Sequence, residues 1–239
     1  MRERILLMGP PGSGKSHQLI KTLQGIREQA IDIAIIDLED KLEATLLGLK
    51  EPLPKNFFIC TSWEEYRNAI NSLSIKDGSW ILVDRVDLSW SFVQRWFTQQ
   101  KYNEELSERL VEVSKGMKRA SMFVPRFDQG SWQVVNEAYE STMLKLLYKT
   151  RCNIVLTAGI RATEEGNPLD VFGSLGVAPR GQKELPHQPH SVFLLHQRKV
   201  GKDRGFLITT GKDLPGREPF EDEPIFDFYD MYVARYWKK

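Results

Sequence analysis

A chain of 239 residues with 41% hydrophobic side chains, 27% charged ones and a net charge of +1 has the composition of a single globular domain with a sizeable core. That balance excludes intrinsic disorder, a fibrous architecture and a globally basic nucleic-acid binder, so any contact with a polyanion has to be local. The apolar run Ile5 to Met8 is too short for a signal peptide, no stretch approaches the roughly 20 apolar residues of a membrane span, and Cys60 and Cys152 lack zinc or disulfide spacing, so a soluble protein of the reducing cytoplasm is expected.

Along the chain, apolar runs bounded by turn residues alternate with segments of helical period, the pattern of an α/β fold with a largely parallel sheet. The first run, Arg4 to Met8, leads into Gly9-Pro10-Pro11-Gly12-Ser13-Gly14-Lys15-Ser16, which satisfies the Walker A pattern in the strand-to-helix context it requires. Glycines 9, 12 and 14 let backbone amides close on phosphate oxygens, and the following helix offers its positive end to the same anion. Lys15 is expected to reach the β- and γ-phosphates of ATP and Ser16 to give its hydroxyl to Mg²⁺, with Gly9 to His17 as the nucleotide-binding stretch.

The second run, Ile31 to Asp37, ends beside Glu39. Groups at the carboxyl ends of parallel strands reach the ligand, so Glu39 is the candidate that orients water; the alternative is a solvated carboxylate at a helix start. After a short strand at Phe57 to Ile59, Ser62 and Glu65 form a capping box. The run Trp80 to Val83 delivers Asp84, the candidate carboxylate for the metal. Arg85 follows where many motor ATPases carry a catalytic glutamate, and Asp87 reads as the start of the next helix. Trp90, Trp96, Phe97 and Tyr102 form either core packing or a partner surface.

Val113 to Phe127 holds Lys115, Lys118, Arg119 and Arg126 with interleaved aromatics and no acid: either a DNA-contacting loop or a solvated helix end beside core aromatics. A sheet-packing helix is expected over Trp132 to Leu147 and a strand over Asn153 to Thr157. Arg161 to Pro189 is a long connection rich in Gly, Pro and charge; its Arg161, Arg180 and Lys183 suit either DNA contact or a nucleotide lid. A strand at Ser191 to His196 precedes Arg198, Lys199, Lys202 and Arg204, which surround Gly201 at an expected hairpin turn. His187 and His190 lack the partners of a zinc site. The acidic stretch Glu218 to Asp230 overlaps apolar residues at helical spacing (Ile225, Phe228, Tyr232, Tyr236, Trp237) that predict a terminal helix on the core or on a neighbour.

The order of these parts resembles the RecA/RadA recombinase superfamily, and in size it looks most like the compact RecA-like ATPases that phages encode for single-strand annealing. Ile36-Asp37-Leu38-Glu39 is similar to the segment that carries the family's catalytic glutamate, Ile154 to Arg161 to the strand entering its second DNA loop, and Phe193 to Thr210 to its late strand and basic hairpin. Ala158 and Gly159 stand where the family usually has a polar sensor. The resemblance implies a P-loop NTPase with a RecA-like core, a central sheet flanked by helices and a late β-hairpin, in a single domain 1–239 with a core of about 4–215 and an acidic, aromatic extension 216–239. It further implies a Mg²⁺-dependent ATPase with catalytic Lys15, Glu39 and Asp84 and metal-binding Ser16 and Asp84, acting on single-stranded DNA in the cytoplasm, the host's if phage-encoded. Because the P-loop strand begins at residue 4, a homo-oligomeric ring or short assembly is expected rather than a long filament, with Arg198, Lys199, Lys202 and Arg204 either as cations offered to a neighbour's γ-phosphate or as a solvated hairpin tip. The competing classes are a nucleotide or small-molecule kinase and a protein-assembly switch.

Overall fold

A computed structural model describes residues 2–119, 127–163, 175–200 and 203–237, with the backbone alone at 116–119, 199–200 and 203–204. Parallel strands β1 (Arg4–Met8), β2 (Ile33–Asp37), β3 (Asn56–Ile59), β4 (Trp80–Asp84) and β5 (Asn153–Ala158) are joined through helices α1 (Lys15–Arg27), α2 (Leu42–Gly48), α3 (Trp63–Ser72), α4 (Leu88–Tyr102), α5 (Leu106–Arg119) and α6 (Gln129–Leu144). A small antiparallel ribbon, β6 (Ile160–Ala162) with β7 (Val177–Pro179), precedes the long hairpin β8 (Ser191–Val200) and β9 (Asp203–Lys212), then β10 (Glu223–Pro224). Among the described residues the main sheet has eight strands in the order β10-β9-β8-β1-β5-β4-β2-β3, so β1 is central and β5 separates it from β4.

Successive side chains of a strand point to opposite faces, and a sheet covered on both faces needs unbroken apolar runs rather than alternation. Leu6, Met8, Ile36, Ile81, Val83 and Leu156 pack on one face with α3, α4 and α6. Ile5, Leu7, Ile35, Trp80, Leu82 and Val155 pack on the other with α1 and the C-terminal segment. The capping box forms as read: Ser62 Oγ accepts from the Glu65 amide at 3.2 Å, and Glu65 Oε2 accepts from the Ser62 amide at 3.1 Å. Among the described residues no helix is long and apolar enough to cross a membrane.

Three expectations need correction. The basic run from Val113 is not a loop at its start, because α5 carries the chain to Arg119, and Phe127 is buried against Phe97 and Trp132, where it cannot stack on a base. The β8 strand extends past His196 to Val200; there Gln197 and Arg198 are exposed and the hairpin ladder with β9, down to Val200 opposite Asp203, replaces burial as the organising force. The terminal aromatics do not form one long helix: a π-helical turn at Tyr229–Val233 leads into a single turn, α7 (Ala234–Tyr236). The segment after residue 215 packs on the core, one of the two placements expected of it: Phe220, Ile225, Phe228 and Tyr232 fill the space against α1 and Phe193, and Tyr232 meets the Phe193 ring at 4.6 Å. The same segment is tied down by Arg217, whose guanidinium grips buried Glu3 at 2.7 and 3.0 Å, while Asp213 accepts from Tyr232 and Ser191, each at 2.6 Å. Trp90, Phe97 and Tyr102 of α4 pack against the core, as does Trp96.

Candidate functional site

Strand register brings the candidate residues to one edge of the sheet. Asp37 stands opposite Asp84, and Met8 opposite Ala158, so the P-loop, the Asp84 carboxylate and the Glu39 turn all emerge at the carboxyl ends of neighbouring strands. Ser16, at the start of α1, donates to Asp84 Oδ2 at 2.9 Å, and Thr157 at the end of the intervening β5 donates to Asp84 Oδ1. Asp84 is 1% exposed; burial pushes its carboxyl up, and the bonds from Thr157 and Ser16 oppose the shift.

The loop before α1 is shaped by contact. A Cβ at Gly9 would collide with the Leu195 carbonyl oxygen and the Ser13 hydroxyl, and Gly14 sits at φ 89°, a conformation that favours glycine. Lys15 Nζ folds back to the carbonyls of Gly9 and Pro10 at 2.9 and 2.8 Å. Burial first, and the nearby Arg85 cation second, lower its pKa, so the ammonium is held in a place that favours an incoming anion. A cleft of about 340 Å³ lies between Gly12, Lys15 and Ser16 on one side and Glu39, Lys41 and Arg85 on the other, with Pro11, Gly14 and His17 completing its wall.

Glu39 is positioned by Asp37. The fully buried Asp37 carboxylate accepts four backbone N–H groups, from Glu39 and Asp40 at 2.9 and 3.1 Å and from Lys41 and Leu42 at 2.8 and 2.7 Å. The turn so fixed presents Glu39 Oε1 to Arg85 Nη1 at 2.9 Å and to Lys41 Nζ at 3.0 Å. Asp87 lies at the start of α4 as read, but its side chain makes no cap bond there; it holds Arg85 instead, Nε to Oδ1 at 3.0 Å and Nη2 to Oδ2 at 3.1 Å. The hydrogen bonds to Asp87 raise the Arg85 pKa, keeping the guanidinium charged.

The small residue at 159 has a physical reason. A Cβ on Gly159 would meet Asp87 Oδ2 at 3.2 Å and Arg180 Cδ at 3.3 Å, so the room that a polar side chain would occupy is already taken. Of the nucleic-acid candidates, Lys115 is exposed on α5, Arg161 is exposed on β6, Arg180 follows β7 and donates to the Ile160 carbonyl at 2.9 Å, and Lys183 is exposed just beyond. The side chains of Lys118 and Arg119, and all of Arg126, lie outside the described residues. Arg198 is exposed on β8, whereas Lys202 and the side chains of Lys199 and Arg204 also lie outside them.

Sequence reasoning passed over the base of the hairpin. Gln197 donates its side-chain amide to the Gly12 carbonyl, and the half-exposed Phe206 ring lies beside Gly14, so β8 and β9 lean on their own P-loop. Their lever is that β8 pairs in parallel with β1, a neighbour relation invisible in the spacing of either strand.

No family model and no curated protein sequence matches the chain. Among solved structures it is similar to a KaiC-like protein from the hyperthermophilic archaeon Pyrococcus horikoshii OT3, at 12% identity over 92% of this chain and 84% of that one, with a TM-score of 0.50. A RadB recombinase superposes at a TM-score of 0.46, with 14% identity over 90% of this chain and 83% of the other. With the P-loop between β1 and α1, Asp84 one strand removed across β5, and the late antiparallel strands beside β1, the chain has the fold of the RecA-like P-loop ATPases.

Proposed function

We propose that this chain binds ATP with Mg²⁺ in the cleft at the carboxyl edge of the sheet and hydrolyses the terminal phosphate, working as a homo-oligomer on single-stranded DNA in recombination or strand annealing. The observation that carries the reading is the Ser16–Asp84 pair, a hydroxyl and a buried carboxylate 2.9 Å apart beside a P-loop lysine. Both are hard oxygen donors, the set that suits Mg²⁺, and the raised proton affinity of buried Asp84 marks a carboxylate that a cation would stabilise. When bound, the metal supplies neutralisation of phosphate charge.

The rest follows from the chain's own groups. Amides of Gly12 to Lys15 hold the β-phosphate at the positive end of α1, and Lys15 exchanges the loop carbonyls for phosphate oxygens. Glu39 orients a water whose oxygen bonds to the γ-phosphorus as the bond to the bridging oxygen breaks; the proton passes to Glu39 and ADP leaves with the bridging oxygen. The DNA reading is supported by exposed Lys115, Arg161, Arg180 and Lys183, and the assembly reading by a hairpin that touches the P-loop through Gln197 and carries Lys199 and Arg204 on its paired strands beside exposed Arg198. The two buried free thiols, Cys60 and Cys152, suit the cytoplasm.

The test is ATP turnover measured with and without single-stranded DNA across a range of protein concentrations. Turnover that rises with both supports the full reading. Phosphoryl transfer to an added nucleoside, indifferent to DNA, replaces it with a kinase.

A further inference from the structure

We propose that Arg85 is a ligand of the terminal phosphate supplied by the same chain, and that in taking up the phosphate it lets go of Glu39. The inference rests on the nucleotide-site reading above, with Glu39 as the group that handles water.

Four observations carry it. First, Arg85 adopts φ 61°, a left-handed conformation unusual for a long side chain, at the turn leaving β4; its amide is fastened there by Thr157 Oγ1 at 2.8 Å. Such a conformation is disfavoured for a residue with a Cβ and persists only where the surroundings impose it. Second, this turn sends the side chain back over the edge of the sheet into the cleft that Lys15 and Ser16 line. Third, the guanidinium has one fixed side and one exchangeable side. Asp87, whose side chain is 3% exposed, takes Nε and Nη2 in a two-bonded fork, which fixes the plane of the group. Nη1 points instead to Glu39, 26% exposed on a wall of the cleft and shared with the solvated Lys41.

Fourth, the charges are arranged for exchange. Lys15, Lys41 and Arg85 bring three cations to one cleft, and Asp87 already takes Nε and Nη2 of Arg85. A diphosphate held by the loop amides ends at Lys15, while a triphosphate adds an anionic group on the side of Ser16, Glu39 and Arg85. That group is a better acceptor for Nη1 than a carboxylate already shared with Lys41. Glu39 Oε1 is bonded to both Arg85 and Lys41; with Nη1 on a phosphate oxygen it keeps only Lys41, and the released lone pair can accept from a water instead. The exchange couples the presence of the terminal phosphate to the readiness of the base, and no proton or electron changes hands in it.

The experiment measures the full-length protein's affinity for a non-hydrolysable ATP analogue and for ADP, each with Mg²⁺, in the parent and in Arg85→Asn, Arg85→Lys and Glu39→Ala. Asparagine tolerates the left-handed turn. In Arg85→Asn the analogue is expected to bind about 10- to 100-fold more weakly, the loss that accompanies one charge-assisted contact, with ADP affinity within about threefold of the parent. Arg85→Lys keeps the charge without the fork and lowers the preference for triphosphate by less. Glu39→Ala frees Nη1 and raises affinity for the analogue several-fold, a gain that disappears in the Arg85→Asn, Glu39→Ala double variant. Equal losses for both nucleotides in Arg85→Asn, or an unchanged triphosphate preference in both Arg85 variants, overturn the proposal. If Arg85→Asn does not fold, an unchanged preference in Arg85→Lys overturns it alone. A parent that binds neither nucleotide overturns the underlying nucleotide-site reading instead, and the two failures are thereby distinct.

Discussion

Replacing Asp37 with Asn leaves the volume of a fully buried side chain intact and changes only what it can accept. The carboxylate takes two backbone N–H groups on each oxygen. An asparagine can keep one such pair through its carbonyl oxygen, but its NH₂ then confronts the other pair with donors. At about 1.5 kcal/mol for each bond to a charged acceptor, the low end suited to a turn partly open to water, the two lost bonds destabilise the protein by about 3 kcal/mol. The removed charge relieves Asp84, whose carboxyl Asp37 helps to push up, but that contribution ranks below the hydrogen bonds and burial acting on Asp84. For a chain of this size about 2–4 °C accompanies each kcal/mol, so thermal melting without nucleotide should fall by about 6–12 °C. Because the same bonds aim Glu39, turnover per site should fall by about 100-fold under conditions where the variant is folded, the loss that follows a misplacement of about 1 Å. Melting within about 2 °C of the parent together with undiminished turnover would refute the idea that this carboxylate sets the Glu39 turn.

Lys15→Ala is expected to fold and to lose most ATP affinity or turnover, since it deletes the cation that the loop directs at phosphate; isothermal titration with ATP and unchanged activity would remove the P-loop assignment. Glu39→Gln should bind ATP and hydrolyse it slowly, and if Asp87→Asn gives that phenotype while Glu39→Gln does not, the wrong carboxylate has been chosen. Asp84 has a folded-state pKa above its unfolded value, so the folded state takes up a proton first and stability falls as pH rises from about 3.9 through that raised value. Asp84→Asn should therefore flatten this slope and melt higher than the parent at pH 7 without nucleotide, while Mg²⁺-dependent turnover disappears; equal or lower melting argues against the burial cost. If Arg161 and Lys183 bind phosphates, neutralising both should reduce the salt slope of single-strand binding by about 1.4, and identical slopes would leave them as solvated charges.

The P-loop part of the candidate site was legible because its pattern is local. Gly9 to Ser16 sits between a strand and a helix that its neighbours in sequence form by themselves, and Asp84 ends an apolar run long enough to be read as a buried strand. Glu39 could be placed by strand position alone. Arg85 could not, because its direction depends on a left-handed backbone angle and on Asp87, which looked like a helix start in spacing. Thr157 and Gln197 matter only through strand neighbours, β5 beside β4 and β8 beside β1, and such pairings join distant stretches. Phe127 and the aromatics after residue 216 show the other limit. Their periodicity announces a surface to be covered, but the partner that covers it, α4 or α1, is chosen by the tertiary packing.

The central place of β1 has a consequence for how the protein is made. The ribosome delivers β1 and α1 long before the two strands that flank β1, which begin at Asn153 and Ser191. Until both have been synthesised, Ile5 to Met8 has no permanent neighbours, and the buried apolar run is available to chaperones or to other nascent chains. Pairings so far apart in sequence also slow folding once synthesis is complete. The loop between β1 and α1 therefore takes its final shape only after β8 has been made, although it is translated well before it.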